Sequence, residues 1–170
     1  AQAMLGPVSV ILNACAGIPA TATDDLGQRV RDLFQQQGIA PCIVLARSGS
    51  TVKALAQQAV QARFQTVVAG GGDGTLNAVA SALVGTEVAL GVLPLGTRNH
   101  FAKDLRIPLD LASAVHTIRA GCTRRVDVGE VNGHIFLNNS SLGLYPRLVR
   151  HRRPARAAGG KRGVHSTRRQ

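Results

Sequence analysis

The chain has 170 residues, 45% of them hydrophobic and only 3% aromatic, with 19 glycines; this suits one α/β domain built on Val, Leu and Ala and leaves no room for two full domains. No uncharged apolar run is long enough to span a membrane, and the N-terminus has no basic segment followed by an apolar core and cleavage site, so a cytoplasmic chain is expected. The formal net charge of +11 is lopsided, because nine of the 20 Lys and Arg residues lie in 147–170, where there is no acid. The body is therefore nearly neutral, and a nucleic-acid partner is disfavoured.

Residues 8–12 form a compact apolar run ending at Asn13 and Gly17, which predicts a buried first strand feeding a loop at its carboxyl end. Asn13 can contact a ligand there or simply make an Asx turn. Thr23, Asp24 and Asp25 offer an N-cap and first-turn acids for a helix whose apolar residues Leu26, Val30, Leu33 and Phe34 recur at helical spacing, with Gly38 as its stop. A second strand is expected over 39–46. Ser48, Gly49, Ser50 and Thr51 then turn into a helix carrying Val52, Leu55, Ala59 and Ala62 on one face. A third strand follows from Thr66 to Ala69. Strands alternating with helices imply parallel pairing through right-handed crossovers, hence a doubly wound sheet.

The third strand stops at Gly70, Gly71, Gly72, Asp73, Gly74, Thr75, Leu76 and Asn77, a glycine cluster holding one carboxylate, and 75–83 can form the helix after it. Glycines reach positive φ cheaply and let backbone N–H groups approach an anion, while a helix N-terminus adds donors and a positive dipole end. The spacing fits neither a Walker loop nor the dinucleotide fingerprint. A glycine-rich turn can also serve only to let strand and helix pack closely. A fourth strand over 88–93 leads into a second loop, 94–99, at the same sheet edge: Gly96 permits a tight turn, Thr97 offers a hydroxyl, and Asn99 can cap a short helix containing Phe101 and Ala102.

Residues 108–120 predict one more helix, entered through Asp110 and closed by Gly121, and 124–131 and 134–139 are two β-type segments joined by Asn132-Gly133, a strong hairpin signal. Cys15, Cys42 and Cys122 are widely spaced and read as core or near-core thiols rather than a zinc site or disulfide framework. From 150 onward apolar periodicity ceases in an Arg-, Gly- and Ala-rich run that reads as a basic, disordered tail.

Residues 70–75 taken with Pro94, Leu95, Gly96, Thr97, Arg98, Asn99, His100, Phe101 and Ala102 resemble the catalytic domain of diacylglycerol kinase-like lipid kinases, which include sphingosine kinases and bacterial lipid kinases. NAD kinases share the Gly-Gly-Asp-Gly core but not the second motif. The resemblance covers about residues 8–148 and implies a nucleotide-binding α/β domain over 1–122, the start of an incomplete β-rich second domain over 123–149, and the tail over 150–170. It further implies that the frame or the end of the chain changes near Val149, because the rest of the second domain is not visible.

For function, the resemblance implies an ATP-dependent kinase acting on a lipid hydroxyl of diacylglycerol type, with Mg²⁺; separately, the basic tail can bind an anionic membrane surface through its charge. Asn13, Gly70, Gly71, Gly72, Asp73, Gly74, Thr75, Leu76, Asn77, Gly96, Thr97 and Asn99 are the expected nucleotide-binding residues. Asp73, the one carboxylate of the glycine loop, is the catalytic candidate: it can hold Mg²⁺ directly or through water, act as base, or merely cap the helix beginning near Thr75. Metal ligands beyond it are not assigned. His100 stands where many relatives carry Asp, and Ala78 where many carry Glu, so any acid roles at those places do not transfer. An NAD kinase-like enzyme and a catalytically inactive nucleotide-binding fragment are the alternatives, and the sequence carries no signal of oligomeric state.

Overall fold

The computed structural model describes residues 6–13 and 20–137. Four parallel strands, β1 (Val8–Asn13), β2 (Cys42–Ala46), β3 (Thr66–Gly71) and β4 (Ala89–Pro94), form a sheet in the order β2-β1-β3-β4. Helices α1 (Ala20–Gln36), α2 (Gly49–Gln61) and α3 (Asp73–Leu83) make the crossovers, followed by α4 (His100–Asp104) and α5 (Leu111–Ala120). The expected doubly wound α/β fold is therefore present.

Alternation along the central strands builds two cores. Val8, Val10, Leu12, Val68 and Leu93 face α1 and α5, packing with Val30, Phe34, Ala114 and Val115. Ile11, Val67, Ala69 and Val92 face the other way, onto Val52, Ala56 and Ala59 of α2, Leu76, Val79 and Leu83 of α3, and Phe101 and Ala102 of α4. Every residue of β3 is buried, as expected of a parallel strand covered on both faces.

The structure departs from the sequence expectations at several element ends. Helix α1 starts at Ala20, so Thr23 lies inside the helix and is buried rather than capping it. Strand β2 starts only at Cys42: the Ile39 N–H is taken by the Phe34 carbonyl in the turn closing α1, and Pro41 has no N–H to donate. As one of the two outer strands, β2 leaves Cys42 exposed, and Cys122, just beyond the end of α5, is exposed too. Neither is the core thiol expected; Cys15 lies outside the described residues. Asp110 and Gly121 behave as expected at the ends of α5, Asp110 accepting the Ser113 N–H at 2.8 Å and Gly121 taking φ 66°.

The hairpin is present but shorter than expected. Strands β5 (Gly129–Val131) and β6 (His134–Phe136) pair antiparallel through Asn132 and Gly133, at φ 50° and 74°. Both positive φ values are what a two-residue type I′ turn demands. Val126 and Val128 are exposed and lie outside any strand. The Phe136 ring lies over Gly129, where a Cβ would collide with it. The hairpin belongs to the same compact unit as the parallel sheet, and β6 packs on α3. Val149 and the basic run lie outside the described residues.

Candidate functional site

Strand order places β2 and β3 on opposite sides of β1, so the chain reverses direction across the sheet at the carboxyl ends of β1 and β3. Open α/β sheets bind ligands at such a switch point. Asn13 ends β1 there, and residues 70–75 join β3 to α3 beside it. The Asn13 Nδ2 donates to Thr75 Oγ1 at 2.9 Å, tying the end of β1 to the first turn of α3. Thr75 is buried, so its hydroxyl acts inward, as a fastening between β1 and α3.

The glycines of this loop are needed for space, not for unusual backbone angles. None of Gly70, Gly71, Gly72, Gly74 or Gly96 has positive φ, contrary to the expectation for a phosphate loop, and Gly72 is extended at φ −90° and ψ −176°. A Cβ on Gly70 would meet the Leu12 side chain, and one on Gly71 the Thr75 side chain. Gly72 and Gly96 face each other backbone to backbone: a Cβ on Gly96 would strike Gly72 Cα and come within 3.0 Å of its nitrogen. Gly74 differs, since a Cβ there meets nothing within 4 Å.

Helix α3 has Gly72 at its N-cap with no side-chain cap, and Asp73 and Gly74 as its first two residues. Their N–H groups have no acceptor within an α-helix, which makes this end a place for an anion. Asp73 does not cap its own helix. Its carboxylate reaches across to the second loop, Oδ2 accepting the His100 N–H at 3.1 Å and Oδ1 the Phe101 N–H at 3.0 Å. It therefore satisfies the first turn of α4 from outside and locks the two loops together. The Leu95 N–H adds a ladder bond to Gly71 O at 3.1 Å.

Asn99 stands at the N-cap of α4 in the left-handed region, φ 50° and ψ 47°, yet makes no side-chain cap. Its side chain folds back instead: Oδ1 accepts the Gly96 N–H at 3.0 Å, while Nδ2 donates to Gly96 O at 2.7 Å and Pro94 O at 3.1 Å. Buried at 7% exposure, this amide is used up in holding the turn. Thr97 is exposed at the tip of the turn it holds. Leu76 is fully buried in the core and its N–H goes to Gly72 O, so of the expected ligand set it serves packing. The Asn77 Oδ1 accepts the Leu137 N–H from the end of the hairpin, at 3.1 Å.

The structure thus gathers Asn13, residues 70–75 and residues 96–99 at one edge, and assigns Leu76 and Asn77 to contacts behind it. The inter-loop role of Asp73, the Asn13–Thr75 bond and the Asn77–Leu137 bond could not be read from local sequence, since they join residues 27, 62 and 60 positions apart. Among the described residues no three His, Cys, Asp or Glu side chains gather as a metal cluster, and no helix is long and apolar enough to cross a membrane.

Comparison with known proteins agrees with this geometry. Residues 7–131 match the family described as the diacylglycerol kinase catalytic domain. The chain is 46% identical over 95 residues to a "Probable lipid kinase YegS-like" of Klebsiella pneumoniae (strain 342), covering 54% of this chain and 32% of that protein. It is 35% identical over 124 residues to the "Diacylglycerol kinase" of Bacillus subtilis (strain 168), covering 71% and 41%. A crystal structure of a diacylglycerol kinase from Bacillus anthracis str. Sterne superposes with a TM-score of 0.66 at 23% identity, over 81% of this chain and 47% of that one, and shares its fold. The chain spans less than half the length of each of these relatives. With the family match extending from β1 through β5, and the glycine loop and second loop locked at one crevice, the chain belongs to the diacylglycerol kinase catalytic domain family.

Proposed function

We propose that this chain is the nucleotide-binding lobe of an ATP-dependent lipid kinase that transfers phosphate to the hydroxyl of a diacylglycerol-like lipid. The observation that carries the reading is the rigid junction of two loops at the β1/β3 switch point, braced by Asp73 and by the Gly72–Gly96 contact. Phosphoryl transfer asks a protein mainly for positioning and charge stabilisation. The free N–H groups of Asp73 and Gly74 would receive a phosphate, and Gly72 and Gly74 let it come close. Asn13 holds Thr75 and so the pitch of the loop; Gly70, Gly71 and Leu76 seat it on the sheet. Gly96 and Asn99 shape the second turn, whose exposed Thr97 hydroxyl would contact the ribose or a phosphate.

Mg²⁺ fits this donor set as an ion carried in with the triphosphate, because Mg²⁺ keeps several waters and takes only one or two carboxylates with the phosphates. Each Asp73 oxygen accepts one N–H and retains a lone pair, so Asp73 would hold the ion through water. Bound there, the ion would neutralise charge on the phosphates. A lipid acceptor requires work at a membrane on the side that supplies ATP, the cytoplasmic face. The arginines after residue 150 would add electrostatic attraction to anionic lipid of about 1 kcal/mol each near the surface.

A second reading is favoured by one feature: Asp73 is the sole carboxylate in residues 70–75 and 94–99. In that reading the chain alone binds ATP without catalysing transfer. The deciding assay is radiolabelled phosphate transfer from ATP to diacylglycerol, sphingoid base and NAD, alongside calorimetry with Mg·ATP. Transfer to a lipid supports the kinase, and nucleotide binding without transfer supports the second reading. Transfer to NAD alone rejects both, and unchanged ATP affinity in Asp73→Ala and Gly72→Val rejects the cradle.

A further inference from the structure

Asp73 and Asn77 stand four residues apart on α3, so their side chains leave the same face of the helix. Asp73 reaches forward to α4. Asn77, one turn behind, reaches to the end of the β5–β6 hairpin, where its Oδ1 accepts the Leu137 N–H at 3.1 Å. Leu137 packs beside it on the cluster that includes Leu76, Val79, Phe101 and Ala102. The direction of this bond is settled by chemistry, because a backbone N–H can only donate and so needs the amide oxygen of Asn77. The same helix that opens at the glycine loop therefore also holds the end of the hairpin at Leu137.

We infer that Asn77 is a positioning residue and not a nucleotide ligand: its amide oxygen sets the register of the hairpin on the helix that begins at the cradle. The inference rests on residues 70–75 being that cradle only for its catalytic consequence. The bond itself does not depend on it. A ligand role would employ the Nδ2 donors toward phosphate, whereas the positioning role employs the oxygen. Asp and Ala separate the two, since Asn77→Asp keeps an acceptor and loses the donors, and Asn77→Ala loses both.

The test uses the whole chain, with hydrogen exchange read at the Leu137 amide, calorimetry with Mg·ATP, and phosphate transfer to diacylglycerol vesicles. Loss of the bond in Asn77→Ala should speed Leu137 exchange about tenfold, with Asn77→Asp close to the parent chain. ATP affinity should stay within about twofold in both variants, because neither alters the cradle; transfer should show a lower kcat in Asn77→Ala at unchanged KM for ATP, restored in Asn77→Asp. A merely structural role would leave kcat per folded molecule unchanged, and that result would overturn the proposal. So would unaltered Leu137 exchange in Asn77→Ala, or an Asn77→Asp variant that binds ATP more weakly than Asn77→Ala. Failure of the parent chain to bind ATP would sink the cradle reading instead, and the exchange result would stand apart from it.

Discussion

Replacing Gly96 by Ala puts a methyl group into the contact between the two loops, while the same change at Gly74 puts one into open space. At Gly96 the new Cβ collides with Gly72 Cα and comes within 2.8 Å of Asn99 Oδ1. Neither neighbour can yield cheaply. Gly72 is held between β3 and the start of α3, and the Asn99 amide is bonded to Pro94 and Gly96. Overpacking of this kind costs about 1–3 kcal/mol, and displacing Asn99 from the Gly96 N–H adds about 1 kcal/mol. Gly96→Ala should therefore lose roughly 2–4 kcal/mol. Gly74 lies in the first turn of α3 with nothing within 4 Å of a Cβ and without positive φ, so Gly74→Ala should gain roughly 0.4–1 kcal/mol by restricting the unfolded chain. Urea denaturation of both variants reads these directly, and with an m-value of about 2 kcal/mol/M the Gly96→Ala midpoint should fall by roughly 1–2 M. If the anion sits on the Gly74 N–H as proposed, Gly74→Ala should also bind Mg·ATP more weakly while being more stable. A neutral Gly96→Ala, or a destabilised Gly74→Ala, would refute the assignment of these glycines to close approach and open space.

Helices α2 and α4 both close through a residue in the left-handed region, Arg63 at φ 61° and Arg106 at φ 56°, in the arrangement that Gly38 provides for α1. The αL penalty is about 1–2 kcal/mol for a residue with a Cβ and the entropic cost of glycine about half of that, so Arg63→Gly and Arg106→Gly should each raise stability by about 0.5–1 kcal/mol in thermal unfolding. Asn99→Asp exchanges the two Nδ2 donors for a second oxygen facing the Pro94 and Gly96 carbonyls, and should cost about 1–3 kcal/mol by denaturant titration while lowering nucleotide affinity. The Ser113 backbone N–H, with the Ser113 side chain second, lowers the Asp110 pKa below its ordinary value near 3.8. A carboxyl depressed in the folded state contributes stability above its unfolded pKa and loses it as pH falls through the folded value, so Asp110→Asn should flatten the acid limb of the stability curve below about pH 4.

Local chemistry in the sequence determined the parallel sheet, because apolar runs such as 8–12 and 66–69 alternate with helical periodicity and can only be buried on both faces in a doubly wound arrangement. It also determined the Asp110 cap, the Gly121 stop and the Asn132-Gly133 turn, each of which depends on residues within three or four positions of one another. The two motifs marked the crevice, since consecutive strand ends of a parallel sheet lie at one edge. The use of each motif residue was a tertiary decision. Asp73 carries a carboxylate suited to a cap, a base or a metal, and only the arrival of α4 beside α3 gave its two oxygens the His100 and Phe101 N–H groups. Asn99 has the side chain of an N-cap, but the left-handed backbone at that point turned its amide toward Pro94 and Gly96. The triple glycine suggested backbone freedom, whereas packing against Leu12, Thr75 and Gly96 made the missing Cβ the reason for it. Side-chain partners 27 to 62 residues away leave no periodic or local trace, so a sequence states what a residue can bond and the folded chain decides which bond it makes.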